Sequence, residues 1–245
     1  LDYDIMARRI AQTNLVLGSS NYLAETIRQR FPQYAARIKT IYNGVDVHAF
    51  KHAEQGNGAR PDDGGHVLFV GRVSPEKGVH DLVTAFTMVA EHCPNAQLSV
   101  VGPIGAMPIE YIVGVSNDPM ITGLSAFYHE HYGVTLQNLV PEHLKERVHF
   151  VGPTSHSTIM QYYEDADVLV NPSYTETFGM SLVEALASEK PVVATRVGGM
   201  VEIVGEEKVG TLVERGDVPG LAEAIIKLLE DDALRATMGK IGRQD

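Results

Sequence analysis

Two glutamates near the start of a predicted helix are the residues best placed for chemistry. The segment 171–187 reads NPSYTETFGMSLVEALA, in which an apolar strand runs into a loop and a helix begins at about Phe178 and Gly179. Glu176 precedes that helix and Glu184 follows it eight residues later, which is a rise of about 12 Å along a helix. Carboxylates so far apart are not expected to share a proton or a metal ion. They would instead hold different parts of one extended ligand.

Backbone N–H groups lie between these two acids. The first N–H groups of a helix have no intrahelical acceptor and sit at the positive end of its dipole, which favours an anion. Here they belong to Thr177, Phe178, Gly179 and Met180. An acid, an anion site and a second acid suit a ligand made of a sugar, a phosphate and a ribose. The alternative is that Glu176 and Glu184 are ordinary surface acids on an amphipathic helix.

A cationic candidate site follows an apolar run earlier in the chain. The segment 66–78 reads HVLFVGRVSPEKG, and its apolar run is typical of a strand buried on both faces of a parallel sheet. We predict a strand over 67–72 and a helix over 75–91. Ser74 is the predicted N-cap, because Pro and Glu follow it in the first turn.

Arg72 and Lys77 then flank the gap between the carboxyl end of a strand and a helix start. In doubly wound α/β folds ligands bind at this position. A guanidinium and an ammonium beside helix N–H groups are suited to a diphosphate. The alternative is that both are solvated loop charges, with Lys77 paired to Glu76 or Asp81.

The rest of the chain alternates short apolar strands with amphipathic helices, which predicts an α/β fold, a parallel sheet with helices on both faces. A turn is expected at 43–46 and a flexible linker at 54–65. Strands are predicted within 13–20, 37–42, 97–102, 167–171, 191–195 and 210–213. Helices are predicted within 1–12, 22–31, 155–165, 179–188, 198–204 and 218–230.

Residues 103–147 form an unusually long connection, with a helical stretch expected around 124–138. Loops of this length are often functional. His129 and His131 could ligate a metal ion, but solvated helix histidines are the favoured interpretation, because no third ligand has a fitting spacing. We therefore predict no metal site. Gly198 and Gly199 are read either as a plain turn or as backbone that touches a sugar.

Composition excludes some classes of protein. The chain of 245 residues has 20 basic and 31 acidic residues and a formal net charge of −11, which argues against a non-specific nucleic-acid binder. Hydrophobic residues make up 44% and support a substantial core. The single cysteine, Cys93, excludes an intrachain disulfide framework and suits a reducing compartment, so a cytoplasmic location is expected.

Three segments together resemble a known family. GRVSPEKG (71–78), PSYTETFGMSLVEALA (172–187) and RVGGMVEIV (196–204) look like the nucleotide-sugar half of the retaining glycosyltransferases of family 4. Those enzymes have two facing Rossmann-like domains, the GT-B architecture. The similarity extends over about 42–229, most of the chain. It implies a Rossmann-like, GT-B donor-binding domain.

The resemblance also implies roles for the candidate residues. In that family the residues matching Arg72 and Lys77, beside Gly71, bind the diphosphate of the donor. The residue matching Glu176 contacts hydroxyls of the transferred sugar, and the residue matching Glu184 binds the ribose. Backbone amides matching Thr177, Phe178, Gly179 and Met180 contact the sugar or the phosphate.

A domain division follows from the same resemblance. Residues 1–42 would be a remnant of the N-terminal, acceptor-side domain, and 43–65 the crossover and linker. Residues 66–245 would be the C-terminal nucleotide-sugar-binding domain, with 103–147 as an insertion. Such a fragment should bind a nucleoside diphosphate but transfer almost nothing alone. The acceptor, whether a small molecule, a sugar or a lipid-linked group, and any peripheral membrane contact would belong to the missing part.

The implied activity is retaining transfer of a sugar from a nucleoside-diphosphate sugar, with UDP as the expected nucleotide. It needs no metal ion and no cofactor, because Arg72 and Lys77 would stabilise the departing diphosphate and Glu176 would orient the sugar. Two alternatives stay open. One is a non-catalytic sugar-nucleotide-binding or regulatory domain, and the other is a UDP-sugar epimerase of the same architecture.

Overall fold

The computed structural model describes residues 3–50, 65–206 and 208–244, apart from the side chain of His156. Within these residues, six strands form one parallel sheet in the order β5-β4-β3-β6-β7-β8, and two more form a separate parallel pair. The strands are β1 (Val16–Gly18), β2 (Ile38–Thr40), β3 (His66–Val70), β4 (Gln97–Val101), β5 (Val148–Gly152), β6 (Val168–Asn171), β7 (Val192–Thr195) and β8 (Gly210–Val213).

Helices connect the strands. They are α1 (Tyr3–Ala11), α2 (Asn21–Arg30), α3 (Val79–His92), α4 (Ile109–Ile112), α5 (Pro119–Gly123), α6 (Tyr132–Leu139), α7 (His156–Asp165), α8 (Met180–Ala187), α9 (Met200–Val204), α10 (Val218–Glu230) and α11 (Asp232–Gln244). Short 3₁₀ turns cover Pro32–Arg37, Pro75–Lys77, Leu124–Tyr128 and Glu142–Leu144.

The sheet is buried on both faces because successive side chains of a strand point to opposite sides. In β3, Val67 and Phe69 pack under α3 and α10, whereas Leu68 packs under α7 and α8. All four residues of β6 are buried. The predicted α/β fold with helices on both faces is confirmed.

The strand order reverses beside β3. From β3 the chain proceeds outward through β4 to β5, and it then returns to the other side of β3 as β6 and continues to β7 and β8. Ligands of open α/β sheets bind at such a switch point, outside the carboxyl ends of the two central strands. The two sequence-predicted sites follow these two strands, β3 and β6.

The start of α2 docks against α9 through one carboxylate. Glu202 accepts hydrogen bonds from the backbone N–H groups of Asn21 (2.9 Å) and Tyr22 (2.6 Å) at the start of α2. It also accepts one from the Tyr42 hydroxyl (2.9 Å). Burial works against ionisation of Glu202, but these hydrogen bonds outweigh it and lower the pKa of the carboxyl group. The proposed division of the chain into domains stays a prediction.

Several element boundaries differ from the prediction. The strand predicted over 67–72 ends at Val70, and the predicted helix 75–91 is a 3₁₀ turn followed by α3 from Val79. Gly78 separates the two with a left-handed φ of 66°. The Ser74 hydroxyl donates to Glu76 Oε1 at 2.6 Å instead of capping a helix N–H.

The long connection and the end of the chain also depart from the prediction. The helical stretch expected around 124–138 is divided into the 3₁₀ turn Leu124–Tyr128 and α6. The final helix, α11, was not predicted. The linker prediction lies outside the described residues except for Gly65. Among the described residues, no helix combines the length and apolarity needed to cross a membrane.

Candidate functional site

The two predicted sites meet at the carboxyl edge of the sheet. Lys77 Nζ lies 2.6 Å from Glu176 Oε2, and the two side chains are 22% and 17% exposed. Lys77 ends the 3₁₀ turn after β3, and Glu176 lies in the loop after β6. Residues 99 positions apart in the sequence therefore form one charged site at the switch point.

Close backbone contacts fix the turn that carries Lys77. Tyr174 N donates to Glu76 O at 2.9 Å, which joins this turn to the loop after β6. A Cβ at Gly78 would lie 2.1 Å from Pro172 O. Only glycine fits this approach and the left-handed φ at the same time. The position of Lys77 beside Glu176 thus depends on Gly78.

Arg72 lies on the same edge. Gly71 N donates to Val101 O at 3.0 Å, which fixes the backbone just before the arginine. The Arg72 side chain is exposed and makes no ion pair or hydrogen bond with any residue of the described part of the chain. Its guanidinium is available to an anion at the mouth of the site.

The start of α8 offers unpaired N–H groups. Gly179 is its N-cap, with a left-handed φ of 110°. Within the part of the chain that the structure describes, the N–H groups of Phe178, Gly179 and Met180 have no protein acceptor. Thr177 differs from the prediction, because its N–H donates to Glu176 Oε1 at 3.0 Å. Three of the four predicted amides are therefore free for an anion.

The loop that carries Glu176 is supported from two other segments. Gly198 has a left-handed φ of 53°, and a Cβ there would lie 1.6 Å from Glu176 O. Ser20 Oγ donates to Thr177 O at 2.6 Å, and the ring of Tyr42 lies 6.2 Å from that of Phe178. Gly198 is therefore needed to let the two loops approach each other.

Glu184 lies beyond the first turn of α8 and has a buried partner. Tyr163, on α7, is fully buried and donates its hydroxyl to Glu184 Oε2 at 2.5 Å. Burial, followed by the nearby Glu184 charge, raises the pKa of the Tyr163 hydroxyl well above its usual value. The tyrosine thus stays a neutral donor and holds one carboxylate oxygen in place. Glu184 is not an ordinary surface acid.

Sequence reasoning missed Tyr163 and Glu202. A buried tyrosine hydroxyl needs a partner, so the position of Tyr163 on the apolar face of α7 was a usable signal. Glu202 carried no comparable signal, because its donors lie about 160 to 181 positions away in the chain.

The two histidines that were considered as possible metal ligands do not form part of this site. His129 and His131 are both exposed. Among residues 3–50, 65–206 and 208–244, no group of three or more His, Cys, Asp or Glu side chains has an arrangement that could hold a metal ion. Cys93 is buried at the end of α3, where burial raises the pKa of its thiol.

The geometry suits an extended ligand with a negatively charged middle. Lys77 and the free amides at the start of α8 lie at the switch point, and Arg72 follows β3 at the same edge, so these groups suit an anion. Glu176 on one side and Glu184 on the other can each accept hydroxyl donors. No side chain of this group is placed as a nucleophile with an adjacent base.

Known proteins share both the sequence and the fold. Residues 50–245 match the family described as Glycosyl transferases group 1. The D-inositol 3-phosphate glycosyltransferase 2 of Catenulispora acidiphila is 28% identical over 98% of this chain and 55% of its own length. A glycogen synthase of Mycobacterium tuberculosis is 27% identical over 96% of this chain and 50% of its length. The chain thus spans about half the length of these curated relatives.

Solved structures agree with this result. The sucrose-phosphate synthase of Thermosynechococcus elongatus superposes with a TM-score of 0.75 at 30% identity, over 99% of this chain and 55% of that one. Anabaena Alr3699/HepE in complex with UDP and glucose superposes with a TM-score of 0.72 at 26% identity, over 99% and 61%. Structural neighbours of this kind are GT-B glycosyltransferases. The family match covers most of the chain, and this chain therefore belongs to the group 1 glycosyltransferases.

Proposed function

We propose that this chain is the donor-binding part of a retaining glycosyltransferase that takes a sugar from a UDP-linked donor. The contact between Lys77 Nζ and Glu176 Oε2 at 2.6 Å carries the proposal. It brings the predicted diphosphate cation and the predicted sugar carboxylate together at the position where open α/β sheets bind ligands. The Anabaena protein solved with UDP and glucose, 26% identical to this chain, supports the choice of nucleotide.

The chemical contribution of this half is electrostatic. Transfer from a sugar nucleotide places positive charge on the anomeric carbon and negative charge on the departing diphosphate. Arg72, Lys77 and the amides of Phe178, Gly179 and Met180 would hold that developing negative charge. Donors fixed in advance lower the barrier because they need no rearrangement during the reaction.

The two glutamates would position the donor. Glu176 would accept hydroxyls of the transferred sugar, and Glu184, held by Tyr163, would accept those of the ribose. Binding both ends of the donor fixes the scissile bond relative to the cations, which contributes through orientation. Glu176 is not assigned as a nucleophile, because its expected partners are hydroxyls away from the reacting carbon.

We further propose that transfer needs neither a metal ion nor a cofactor, since Arg72 and Lys77 supply the positive charge. The cytoplasm remains the proposed compartment, on the basis of the single, buried Cys93. The acceptor would be bound chiefly by sequence outside this chain, which spans about half of its curated relatives. This chain alone would then bind donor and transfer almost nothing.

Calorimetry with UDP and UDP-glucose tests the proposal. We expect both to bind the 245-residue chain, and we expect Lys77→Ala to lose more than about tenfold in affinity for UDP. Arg9→Ala is the matched control, because Arg9 is exposed on α1. Equal affinities of wild type and Lys77→Ala would contradict the diphosphate assignment.

Two other functions are separated by product analysis. An epimerase would change the sugar of a UDP-sugar supplied alone, and a non-catalytic binding domain would leave it intact even when joined to an acceptor-side half. A transferase would release UDP only in the presence of an acceptor. The transferase is favoured, because both motifs are intact and Arg72, Lys77, Glu176 and Glu184 are all present.

A further inference from the structure

A cavity of about 420 Å³ adjoins the candidate donor site. Glu176 lines it, but Arg72, Lys77 and residues 177–180 do not. The volume lies within the range of small-molecule sites. The cavity therefore adjoins the proposed donor site at Glu176.

The long connection 103–147 builds one wall of this cavity. Ser116, Asp118 and Ile121 belong to that wall. Asp118 Oδ2 lies 2.6 Å from Arg215 Nη1, in the loop after β8, so an ion pair fastens the wall to the sheet edge. Asp118 Oδ1 also accepts from Met120 N at 2.9 Å, which fixes the carboxylate.

Arg215 is held in place with donors to spare. Its Nη1 donates to Asp118 and, at 3.3 Å, to Tyr174 O. Its Nε and Nη2 groups make no hydrogen bond to any of the described residues. An arginine carries five N–H donors in a rigid, planar arrangement. Because the contacts of Nη1 hold the guanidinium in place, the N–H groups of Nε and Nη2 remain as preformed donors at the cavity.

The charges around the cavity are balanced. Arg215 is paired with Asp118, Glu176 with Lys77, and Arg196 with Glu214 through Nε at 3.2 Å. An anion would find no excess positive charge here and would lie beside two carboxylates. A neutral ligand with many hydroxyls can donate to the carboxylates and accept from the guanidinium at no such cost.

The remaining lining fits a hydroxylated ring. Tyr22, which is half exposed, lines the cavity together with Tyr174, Ser116 and Thr175. Small-molecule sites combine apolar and aromatic walls with a few fixed polar groups in this way. The C–H face of a sugar or cyclic polyol would pack on the Tyr22 ring while its hydroxyls meet the polar groups.

We propose that this cavity binds the neutral, polyhydroxylated ring of the acceptor, and that the connection 103–147 selects it. The inference rests on the proposed function, in which Glu176 orients the transferred sugar. The acceptor ring would then lie next to that sugar, with Arg215 and Asp118 as its polar partners within this chain. Acceptor selection would not be left entirely to sequence outside this chain.

Amide chemical-shift titration of the 245-residue chain saturated with UDP-glucose tests the proposal. The bound donor fills the sugar position beside UDP, so added glucose reports on binding in the cavity lined by Ser116 and Thr175. We expect glucose to shift the signals of Ser116 and Thr175, and glucose 6-phosphate to bind no more tightly than glucose. Arg215→Lys, which keeps the charge but loses the planar fork, should weaken glucose binding by roughly threefold to tenfold.

Thr175→Val is a second variant that does not threaten the fold, because its exposed side chain has no partner in the described part of the chain. It should also weaken glucose binding, whereas Arg9→Ala should not. The proposal would be overturned if glucose did not bind, or if both cavity variants bound glucose as the wild type does. Much tighter binding of glucose 6-phosphate than of glucose would also overturn it. Affinity for UDP-glucose should stay constant throughout. Failure of UDP-glucose to bind the wild type contradicts the proposed function and removes the acceptor role with it.

Discussion

Lys77 Nζ lies 2.6 Å from Glu176 Oε2, so the proposed diphosphate cation is paired with the proposed sugar carboxylate. The pair is largely buried, with side-chain exposures of 22% and 17%. A bound donor would replace it with two contacts, one from Lys77 to a phosphate oxygen and one from a sugar hydroxyl to Glu176. The ion pair thus keeps both groups oriented in a charge-neutral state before the donor arrives.

Glu176→Gln should affect the contact of Lys77 with phosphate and the contact of Glu176 with the sugar differently. The amide no longer competes for Lys77, so we expect affinity for UDP to be unchanged or higher. Affinity for UDP-glucose relative to UDP should fall by roughly threefold to tenfold, because a weaker acceptor meets the sugar hydroxyl. Calorimetry with both ligands measures this ratio. A parallel loss of UDP and UDP-glucose affinity would place Glu176 on the nucleotide instead of the sugar.

Arg72→Ala should weaken UDP binding without a change in stability. The side chain is exposed and has no partner in the described residues, so its removal breaks no protein contact. We expect affinity for UDP to fall by about tenfold and the melting temperature without ligand to stay constant. In the enzyme joined to its acceptor-side half, transfer should fall by more than about tenfold. Normal transfer would exclude a role in stabilising the leaving group.

Tyr163→Phe tests whether the hydroxyl holds Glu184 for the ribose. The fully buried hydroxyl donates to Glu184 at 2.5 Å, and its loss should lower the free energy of unfolding by about 1–3 kcal/mol. Affinity for UDP should fall, and the preference for UDP over its 2′,3′-dideoxy analogue should shrink. If the stability changes but the preference for UDP over the 2′,3′-dideoxy analogue does not, the role of Tyr163 is limited to stabilising the fold.

Tyr162→Phe is the matched control for that experiment. Tyr162 is the neighbouring residue on α7, is only partly buried and makes no hydrogen bond through its hydroxyl in the described part of the chain. Its variant should bind UDP as the wild type does.

Gly198→Ala should disturb the loop that carries Glu176. The added methyl group would lie 1.6 Å from Glu176 O, at a left-handed φ of 53°, so the two loops must separate. We expect a loss of at least about 2 kcal/mol in the free energy of unfolding and weaker UDP-glucose binding. Gly123→Ala, where the methyl group meets open space, should be close to neutral. A variant at Gly198 with wild-type stability would show that the loop tolerates displacement.

Buried His80 predicts a pH dependence of stability. Burial lowers its pKa below the usual 6.5, although the nearby Asp81 charge opposes the shift. Its Nδ1 lies 2.8 Å from the Tyr132 hydroxyl, and its ring stacks on Tyr174 and packs tilted against Phe127. Because the unfolded state takes up the proton first, the stabilisation is complete above pH 6.5 and is lost as the pH falls towards the folded-state pKa.

Denaturation from about pH 7.5 down to about pH 5.5 measures this effect, and one proton limits the slope to at most ~1.4 kcal/mol per pH unit. His80→Gln should show a shallower slope, although its stability at neutral pH is lower. Identical slopes in the two proteins would mean that His80 does not titrate on unfolding in this range.

The sequence was sufficient for the fold. Apolar runs such as 67–70 and 168–170 indicate buried parallel strands, and the candidate site residues follow the ends of those strands. The spacing of the candidate residues in the sequence could not show which of their side chains contact one another. The Lys77–Glu176 pair depends on strand order, because β3 and β6 become neighbours only when the sheet reverses direction.

Other features could not be predicted for local reasons. Ser74 matched a helix N-cap, but a bond to Glu76 and the left-handed Gly78 turned the segment into a 3₁₀ turn. The cavity wall at Asp118 depends on a partner, Arg215, that is 97 residues away. The last helix, α11, follows α10 after a single residue, so no loop signal separates the two.

The most direct test of the central claim is a crystal structure of this chain with UDP-glucose bound. We predict a diphosphate within hydrogen-bonding distance of Lys77 Nζ, the Arg72 guanidinium and the amides of residues 178–180, with sugar hydroxyls on Glu176 and ribose hydroxyls on Glu184. A nucleotide bound elsewhere, with the Lys77–Glu176 pair unchanged, would contradict it.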